Sequence, residues 1–427
     1  MSPTFASLSV RNYRIWFAGA LISNIGTWMA RVAQDWLVLT ELTDHSASAL
    51  GIVTGLQFLP FLLLAPLAGA AVDRLAKRSL LLVTQSALGL VSLVTGLLVV
   101  AGVAQLWQVY ALALLQGMAT AVDNPARQAF VSEMVPGERL ANAVALNSAS
   151  FNAGRLIGPA VAGLVIAAWG TGIALLLNAI TFVAVLGSLI ALDVTALSPA
   201  PRVRGRGSIV EGLRYVRGRP DLQLVMGLVF VLGTFGMNFQ ITMALMATQV
   251  FGKGPTEFGL LGSIMAIGSL SAALLSARRA NPRLRHLLVA LVAFTASAAL
   301  AALAPTYPLF ALALVPVGLA ALTALTTANA MVQLRVAPAM RGRVMALYLA
   351  IFMGGTPFGA PVIGWIGDTF GARWTIGIGP VALLIALGMV AFYLARHDNM
   401  RVSFAPHQRP YLRITAGTEV IMPEAAR

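Results

Sequence analysis

The chain has 427 residues, of which 58% are hydrophobic and only 10% charged, with a formal charge of +14 and no cysteine. That apolar content exceeds what a soluble domain of this length could bury, so lipid is the solvent the composition fits. The absence of cysteine excludes disulfides, thiolate metal sites and cysteine nucleophiles together.

Apolar stretches long enough to cross ~30 Å of hydrocarbon as helices are predicted at 15–39, 49–71, 80–101, 107–126, 142–168, 171–192, 222–248, 257–277, 287–304, 308–328, 344–367 and 374–394. Backbone groups cannot go unsatisfied in hydrocarbon, and the alternating strands of a closed barrel are missing. The expected fold class is therefore an all-α membrane protein with twelve transmembrane helices. Arg11 and Arg14 precede the first span without a small-residue cleavage site after a short apolar core, so span 1 is expected to be retained.

Within span 1, Asn24, Trp28, Arg31 and Asp35 recur at spacings of four, three and four and share a helical face. Ionisable groups in hydrocarbon are costly and turn toward a bundle interior or a watery cavity. Asp35 is thus a candidate proton carrier or cation ligand, with Arg31 setting its charge state and offering a contact for an anion. A structural ion pair near the outer end of the span is the competing reading. Asp123, one turn before Arg127 at the inner end of span 4, is a second and more peripheral protonatable group. In span 5, Ser148, Asn152 and Arg155 share a face one turn before Pro159, which removes a backbone donor and bends the helix; Asn152 and Arg155 are cavity candidates, Arg155 as a substrate contact, a stabiliser of the cavity or a tie to a carboxylate elsewhere in the first half. Gly154, Gly158 and Gly163 of the same span suit close helix packing more than ligand contact.

A basic linker, 196–221, separates an N-terminal six-helix half (1–195) from a C-terminal one (222–398), with a polar and disordered tail expected over 399–427. In the linker, Ser208 and Glu211 have capping-box spacing, and Ile209, Leu213 and Val216 share a face. This reads either as a short amphipathic helix on the membrane surface or as a solvated connection. An offset of 201 residues aligns Phe151 with Phe352, Gly154 with Gly355, Gly158 with Gly359, Gly163 with Gly364 and Gly170 with Gly371, an internal repeat of the kind found in transporters with parallel halves. The second half offers cavity candidates in Asn238, Gln240 and Thr242, in Thr323, Thr326 and Thr327, and in Tyr348, Phe352 and Thr356. It has no deep carboxylate. Met237, Met243 and Met246 are adaptable side chains that suit either varied ligands or ordinary packing.

With both termini inside, 25 of the 29 Lys and Arg residues fall on the inner side, which fixes an orientation by the positive-inside rule and removes nucleic acid as the explanation of the charge. Arginine outnumbers lysine 27 to 2, which with the alanine content points to a bacterial inner membrane. Zincin, nucleophile-elbow and Walker patterns are missing, and His45, His286, His397 and His407 are scattered, so no enzyme, metal or cofactor is expected.

The stretch from Gly69 through Asp73 and Arg74 to Lys77 and Arg78 resembles the G-x-x-x-D-R-x-G-R-R/K loop of the major facilitator superfamily, with Ala76 in place of its second glycine. Gly154, Gly158, Pro159 and Gly163 are similar to the superfamily's exporter motif, although Ala145 and Ala162 stand where two of its glycines belong. Three further stretches, Arg11 to Gly19 running on to Asp35-Trp36, Asp123 to Gln128, and Asn152 to Pro159, resemble the branch of bacterial siderophore and macrolide exporters called transmembrane secretion effectors. The resemblance spans about residues 8–395 and implies export of a small amphipathic molecule (a drug, siderophore or secondary metabolite) by proton antiport with alternating access. It also implies a conformational latch in which Asp73 meets Arg127 and the start of span 11 when the cavity faces outward. One departure bears on coupling: many proton-coupled drug antiporters carry an arginine ahead of a Gln-Gly pair in span 4, and Gln116-Gly117 is preceded by Ala113. The expected partners are a small-molecule substrate, a proton or other coupling ion and lipid, acting on a monomer. An importer or facilitator of a small metabolite, or a non-transporting membrane sensor, are the rival readings.

Overall fold

The computed structural model describes residues 3–198, 209–276, 282–338, 340–398, 401–404 and 412–415. Before the linker lie α1 (Arg11–Trp36), α2 (Ala47–Arg74), α3 (Lys77–Val100), α4 (Leu106–Met134), α5 (Gly137–Trp169) and α6 (Thr171–Ile190). After the short α7 (Ile209–Arg217) come α8 (Pro220–Val231), α9 (Phe239–Leu245), α10 (Pro255–Ser276), α11 (Leu284–Leu303), α12 (Tyr307–Arg335), α13 (Arg341–Gly354), α14 (Thr356–Phe370) and α15 (Ala372–Asp398). In the tail, Arg401–Phe404 and Leu412–Thr415 pair as an antiparallel ribbon, where a structureless segment is expected from sequence.

Ten helical segments among the described residues are long and apolar enough to cross a membrane. Helices α1 and α4 are as long, at 26 and 29 residues, but carry more polar groups. They pack inside the bundle all the same, α1 against α5 and α6, α4 against α2 and α3. Large apolar side chains such as Val83, Val183, Val289 and Leu300 stay exposed on the outer surface, as lipid-facing residues do in a multi-pass membrane protein.

Three predicted spans are not single α-helices: 15–39 passes from α1 into a π-helical turn at Leu37–Glu41, and two others are broken within. Residues 222–248 divide into α8 and α9, with a wide π-helical stretch at Leu232–Gly236 and Asn238 out of helical geometry between them. Residues 344–367 divide into α13 and α14 at Gly354–Gly355, because Pro357 occupies the first turn of α14 and cannot donate to the preceding turn. Apolar composition marks 222–248 and 344–367 as continuous; the breaks come from backbone bonding, which hydropathy does not report. The linker helix α7 forms, and of the expected apolar face Val216 is buried while Leu213 is not. Gly212 lies against Arg343 of α13, which also pairs with Glu211 at 2.7 Å, and Leu213 is 40% exposed. Ser208, the expected cap, lies outside the described residues.

The internal repeat has a structural counterpart. Lipid offers no hydrophobic drive for helices to associate, so close approach through small residues carries the packing. Gly154 and Gly158 lie against Asn24 and Trp28 of α1, and a side chain on Gly158 would stand 2.6 Å from the Trp28 Cβ. In the equivalent places, Gly355 and Gly359 lie against Thr234 after α8. Gly163 reaches across to Pro255 and Thr256 at the start of α10, as Gly364 reaches across to Ala47 and Ser48 at the start of α2. Gly170 and Gly371 end these two helices at φ +84° and +95°, a conformation other residues rarely adopt.

The two bundles therefore touch along α5–α10 and α2–α14 at the end opposite the termini. There the Ser263 hydroxyl donates to the Leu156 carbonyl at 2.6 Å, and the Gln249 amide donates to the His45 carbonyl at 2.9 Å. Toward the termini the same helices part, leaving Gly69 and Gly342 in open space and Leu67 and Leu274 exposed.

Candidate functional site

The parted bundles enclose a void of about 320 Å³, lined on one side by Trp28, Arg31, Asp35 and Arg155 and on the other by Asn238, Gln240, Phe352 and Thr356. A second chamber of about 280 Å³ shares Trp28, Arg31 and Phe58 with it as wall residues and lies among α1, α2, α3, α4 and α6. The void is of the size that takes a drug-sized ligand, with apolar walls and few polar groups.

The stripe on α1 is held from behind by α5. Because Gly154 and Gly158 have no side chains, the two helices approach until Asn24 donates to the Ser150 hydroxyl at 2.9 Å and the Trp28 ring meets Phe151 edge-on at 5.6 Å. Trp28 in turn receives two cations: the Arg31 guanidinium lies 5.2 Å from its ring centre and that of Arg155 lies 5.8 Å away. Asp35 is 6% exposed, faces the void one turn from Arg31, and has no hydrogen bond or ion pair within 4 Å among the described residues. The tight Arg31–Asp35 ion pair of the competing reading is therefore absent there.

Asp123 is placed differently. Its carboxylate accepts from the Thr84 hydroxyl at 2.7 Å, from the Gln85 amide at 2.6 Å and from Arg127, whose ion pair with it measures 3.2 Å. Arg127 also reaches Asn24 at 3.5 Å. That group is a knot tying α3, α4 and α1 at the wall of the second chamber, with its acceptors occupied.

Among the other sequence candidates, Phe352 and Asn238 line the void, Asn238 while donating to the Thr234 carbonyl at 2.8 Å. Asn152 does not; its amide turns back onto the Ser148 carbonyl of its own helix at 2.9 Å. Tyr348 does not either, being buried with its hydroxyl directed to the Leu325 carbonyl at 3.3 Å. Met237 and Met243 line the void, while Met246 is core. Pro159 sits at the void's edge, and Gly163 belongs to the contact between bundles.

The loop after α2 is not brought onto Arg127. Asp73 and Arg74 are exposed, with no ion pair or hydrogen bond among the described residues; Lys77 pairs with Glu133 at 3.1 Å, and Arg78 donates to the Leu189 carbonyl at 2.8 Å. The opposite end of α2 is latched instead. Asp368, near the end of α14, accepts from the backbone N–H of Ala47 at 2.7 Å and of Ser48 at 2.9 Å, and from the Ser46 hydroxyl at 3.3 Å. A carboxylate at a helix N-terminus is favourable, and this one joins the two bundles.

Sequence reading passes over Asp368, which looks like an ordinary helix-end residue. It also passes over a glutamine cluster in the second chamber, where Gln57 donates to Gln34 at 3.0 Å and to Gln116 at 3.3 Å. An amide in each of three apolar spans is the available signal for that cluster, since buried amides need partners.

Two helical bundles meeting at one end around a charged, partly apolar void define a membrane transporter of the major facilitator class, not an enzyme. The chain belongs to the transmembrane secretion effector family, whose profile matches residues 2–416. It is 26% identical over 400 residues to the staphyloferrin A transporter of Staphylococcus aureus (strain NCTC 8325 / PS 47), covering 92% of this chain and 99% of that protein. It is 29% identical over 413 residues to the multidrug efflux pump Tap of Mycolicibacterium fortuitum, covering 91% and 96%. Among solved structures, the fold is similar to an inward-facing, unoccupied bacterial homologue of the human lysosomal transporter Spinster, with a TM-score of 0.70 at 16% identity over 93% of this chain and 98% of that one.

Proposed function

We propose that the protein is a secondary active exporter of a small amphipathic molecule, working by alternating access between two six-span halves and exchanging its cargo for protons. The observation that carries this reading is the void itself, which lies between the bundles, is shut at one end by the α5–α10 and α2–α14 contacts, and holds Asp35 without a partner among the described residues. Counting α1 and α4 makes twelve crossings. A 26-residue helix rises about 39 Å, ample for hydrocarbon, and Asn24, Arg31, Gln34 and Asp35 of α1 and Gln116, Asp123 and Arg127 of α4 line the chambers rather than face lipid.

In this reading the termini lie in the cytoplasm of a bacterial cell, the side that receives the basic loops, and the structure is the inward-open state. The free Asp73 and the engaged Asp368 fit that state, since the loop after α2 would latch only when the cytoplasmic end closes. Outward direction is supported by the glycine pattern of α5 and by relatives named for efflux or siderophore transport. Each copy holds a complete void, so a monomer suffices.

Purified protein in proteoliposomes, given an inwardly or outwardly directed pH gradient and a panel of antibiotics, siderophores and dyes, tests the proposal. At least one compound should accumulate uphill in a gradient-dependent way; if ligands bind and none moves under either gradient, the protein is a sensor rather than a pump.

A further inference from the structure

Buried charges elsewhere in the first bundle come in pairs: Arg127 with Asp123, Lys77 with Glu133. Arg31 and Arg155 are the exception. Neither makes an ion pair or hydrogen bond among the described residues, and the charged neighbour acting on Arg155 is Arg31, a like charge. Two guanidinium groups gathered on one indole ring, inside a membrane, form an arrangement that repels itself unless something negative joins it. Contact with the Trp28 face offsets only part of that cost. Asp35 acts on Arg31 across the void as an opposite charge but lies beyond pairing distance of it and makes no hydrogen bond among the described residues, so one carboxylate at a distance faces two guanidinium groups.

The void thus presents two unpaired cations, one unpaired carboxylate and an apolar wall that includes Phe58, Phe151, Phe258, Phe352 and Met265. From this charge pattern we infer that the cargo is a zwitterionic aromatic amphiphile. Its oxyanion, a carboxylate or another planar acid, sits in the forks of Arg31 and Arg155 beside Trp28, its cationic nitrogen sits at Asp35, and its ring body lies on the phenylalanine wall. Guanidinium groups bind planar oxyanions two bonds at a time, which an ammonium does not. The inference rests on the export reading and also gives its exchange a physical cause, since the cargo's nitrogen and a proton compete for the same carboxylate. A purely anionic cargo would meet ionised Asp35 as a like charge and load beside the proton instead of replacing it.

Rhodamine B and its methyl ester share one aromatic cation and differ in a single carboxylate, so fluorescence anisotropy on the purified protein in lipid nanodiscs isolates the oxyanion. Wild type should bind rhodamine B about tenfold more tightly than the ester, and Arg155→Gln should bring the two within about threefold. Arg155→Lys, which keeps the charge and loses the fork, should fall between. Carboxyfluorescein, with oxyanions and no cation, should bind weakly to wild type and gain on Asp35→Asn. Equal binding of ester and acid, an Arg155→Gln protein that keeps the preference, or no binding of either dye overturns the inference. Pumping of the ester with no preference for the acid would leave the export reading standing and remove this one alone.

Discussion

Two buried carboxylates face the chambers with opposite surroundings, and their substitutions should fail in different ways. Asp35 has no hydrogen-bond partner among the described residues, so Asp35→Asn changes little in packing and removes the one carboxylate lining the central void, the group there best placed to gain and lose a proton. Uphill accumulation driven by a pH gradient should disappear while downhill counterflow persists, because the proposed rocking of the bundles does not need this carboxylate. Retained uphill transport with unaltered pH dependence would make Asp35 structural. Asp123→Ala should instead lower thermal stability, by about 1–3 kcal/mol for buried donors left without an acceptor, since Thr84, Gln85 and Arg127 all give bonds to it. A protein with unchanged melting temperature and altered proton coupling would reverse the two assignments. At this scale the sequence is unevenly legible, for a geometric reason. Spacing along one helix identifies a shared face, and the stripe of Asn24, Trp28, Arg31 and Asp35 does share one. It does not say which partner helix that face meets, so spacing cannot place Arg155 beside Trp28, and it assigns Asn152 and Tyr348 to a cavity they do not line.

Helices α5 and α14 do equivalent work in the two bundles, each seating the first helix of its own bundle and the second of the other. Gly158→Ala should therefore be costly, by about 1–3 kcal/mol for an overpacked contact, because the new methyl falls 2.6 Å from Trp28 and 2.8 Å from the Ile25 carbonyl. Gly227→Ala on α8 meets nothing within 4 Å, and there the gain in helix propensity, about 0.5–1 kcal/mol, should dominate. Thermal unfolding of both variants in the same detergent checks the contrast; equal effects would mean that the close approach of α1 and α5 contributes little. The aligned glycines make this repeat legible in the sequence itself, since small residues at fixed spacing are the means by which helices touch in lipid. The breaks at Leu232–Gly236 and at Gly354–Gly355 are not legible in the same way, because an apolar run reads alike whether its backbone bonds are continuous or interrupted; Pro357 is the one local sign of the second.

For the whole molecule, α2 and the α13–α14 pair carry a carboxylate at each end of their shared contact. Asp368 caps the start of α2, while Asp73, at the other end of α2, is exposed and, in the proposed cycle, would engage the start of α13 when that end closes. Each such cap is worth about 0.3–2 kcal/mol, enough to tilt a balanced equilibrium between two states without touching the cargo site. Orientation can be settled separately on this cysteine-free background. Cysteines at Val103 and Leu213, both exposed, should react with an impermeant reagent from opposite sides of the membrane, Leu213 from the cytoplasm. Same-side labelling would refute the assigned topology. The central claim, that the two ends open in alternation, is tested most directly by spin-label distances measured on both ends of one protein in nanodiscs, with labels at Asp44 and Thr369 for one end and at Leu75 and Gly342 for the other. Asp368→Asn should lengthen the first distance and shorten the second, and Asp73→Asn should do the reverse; distances that stay fixed, or that lengthen and shorten together, would contradict alternating access.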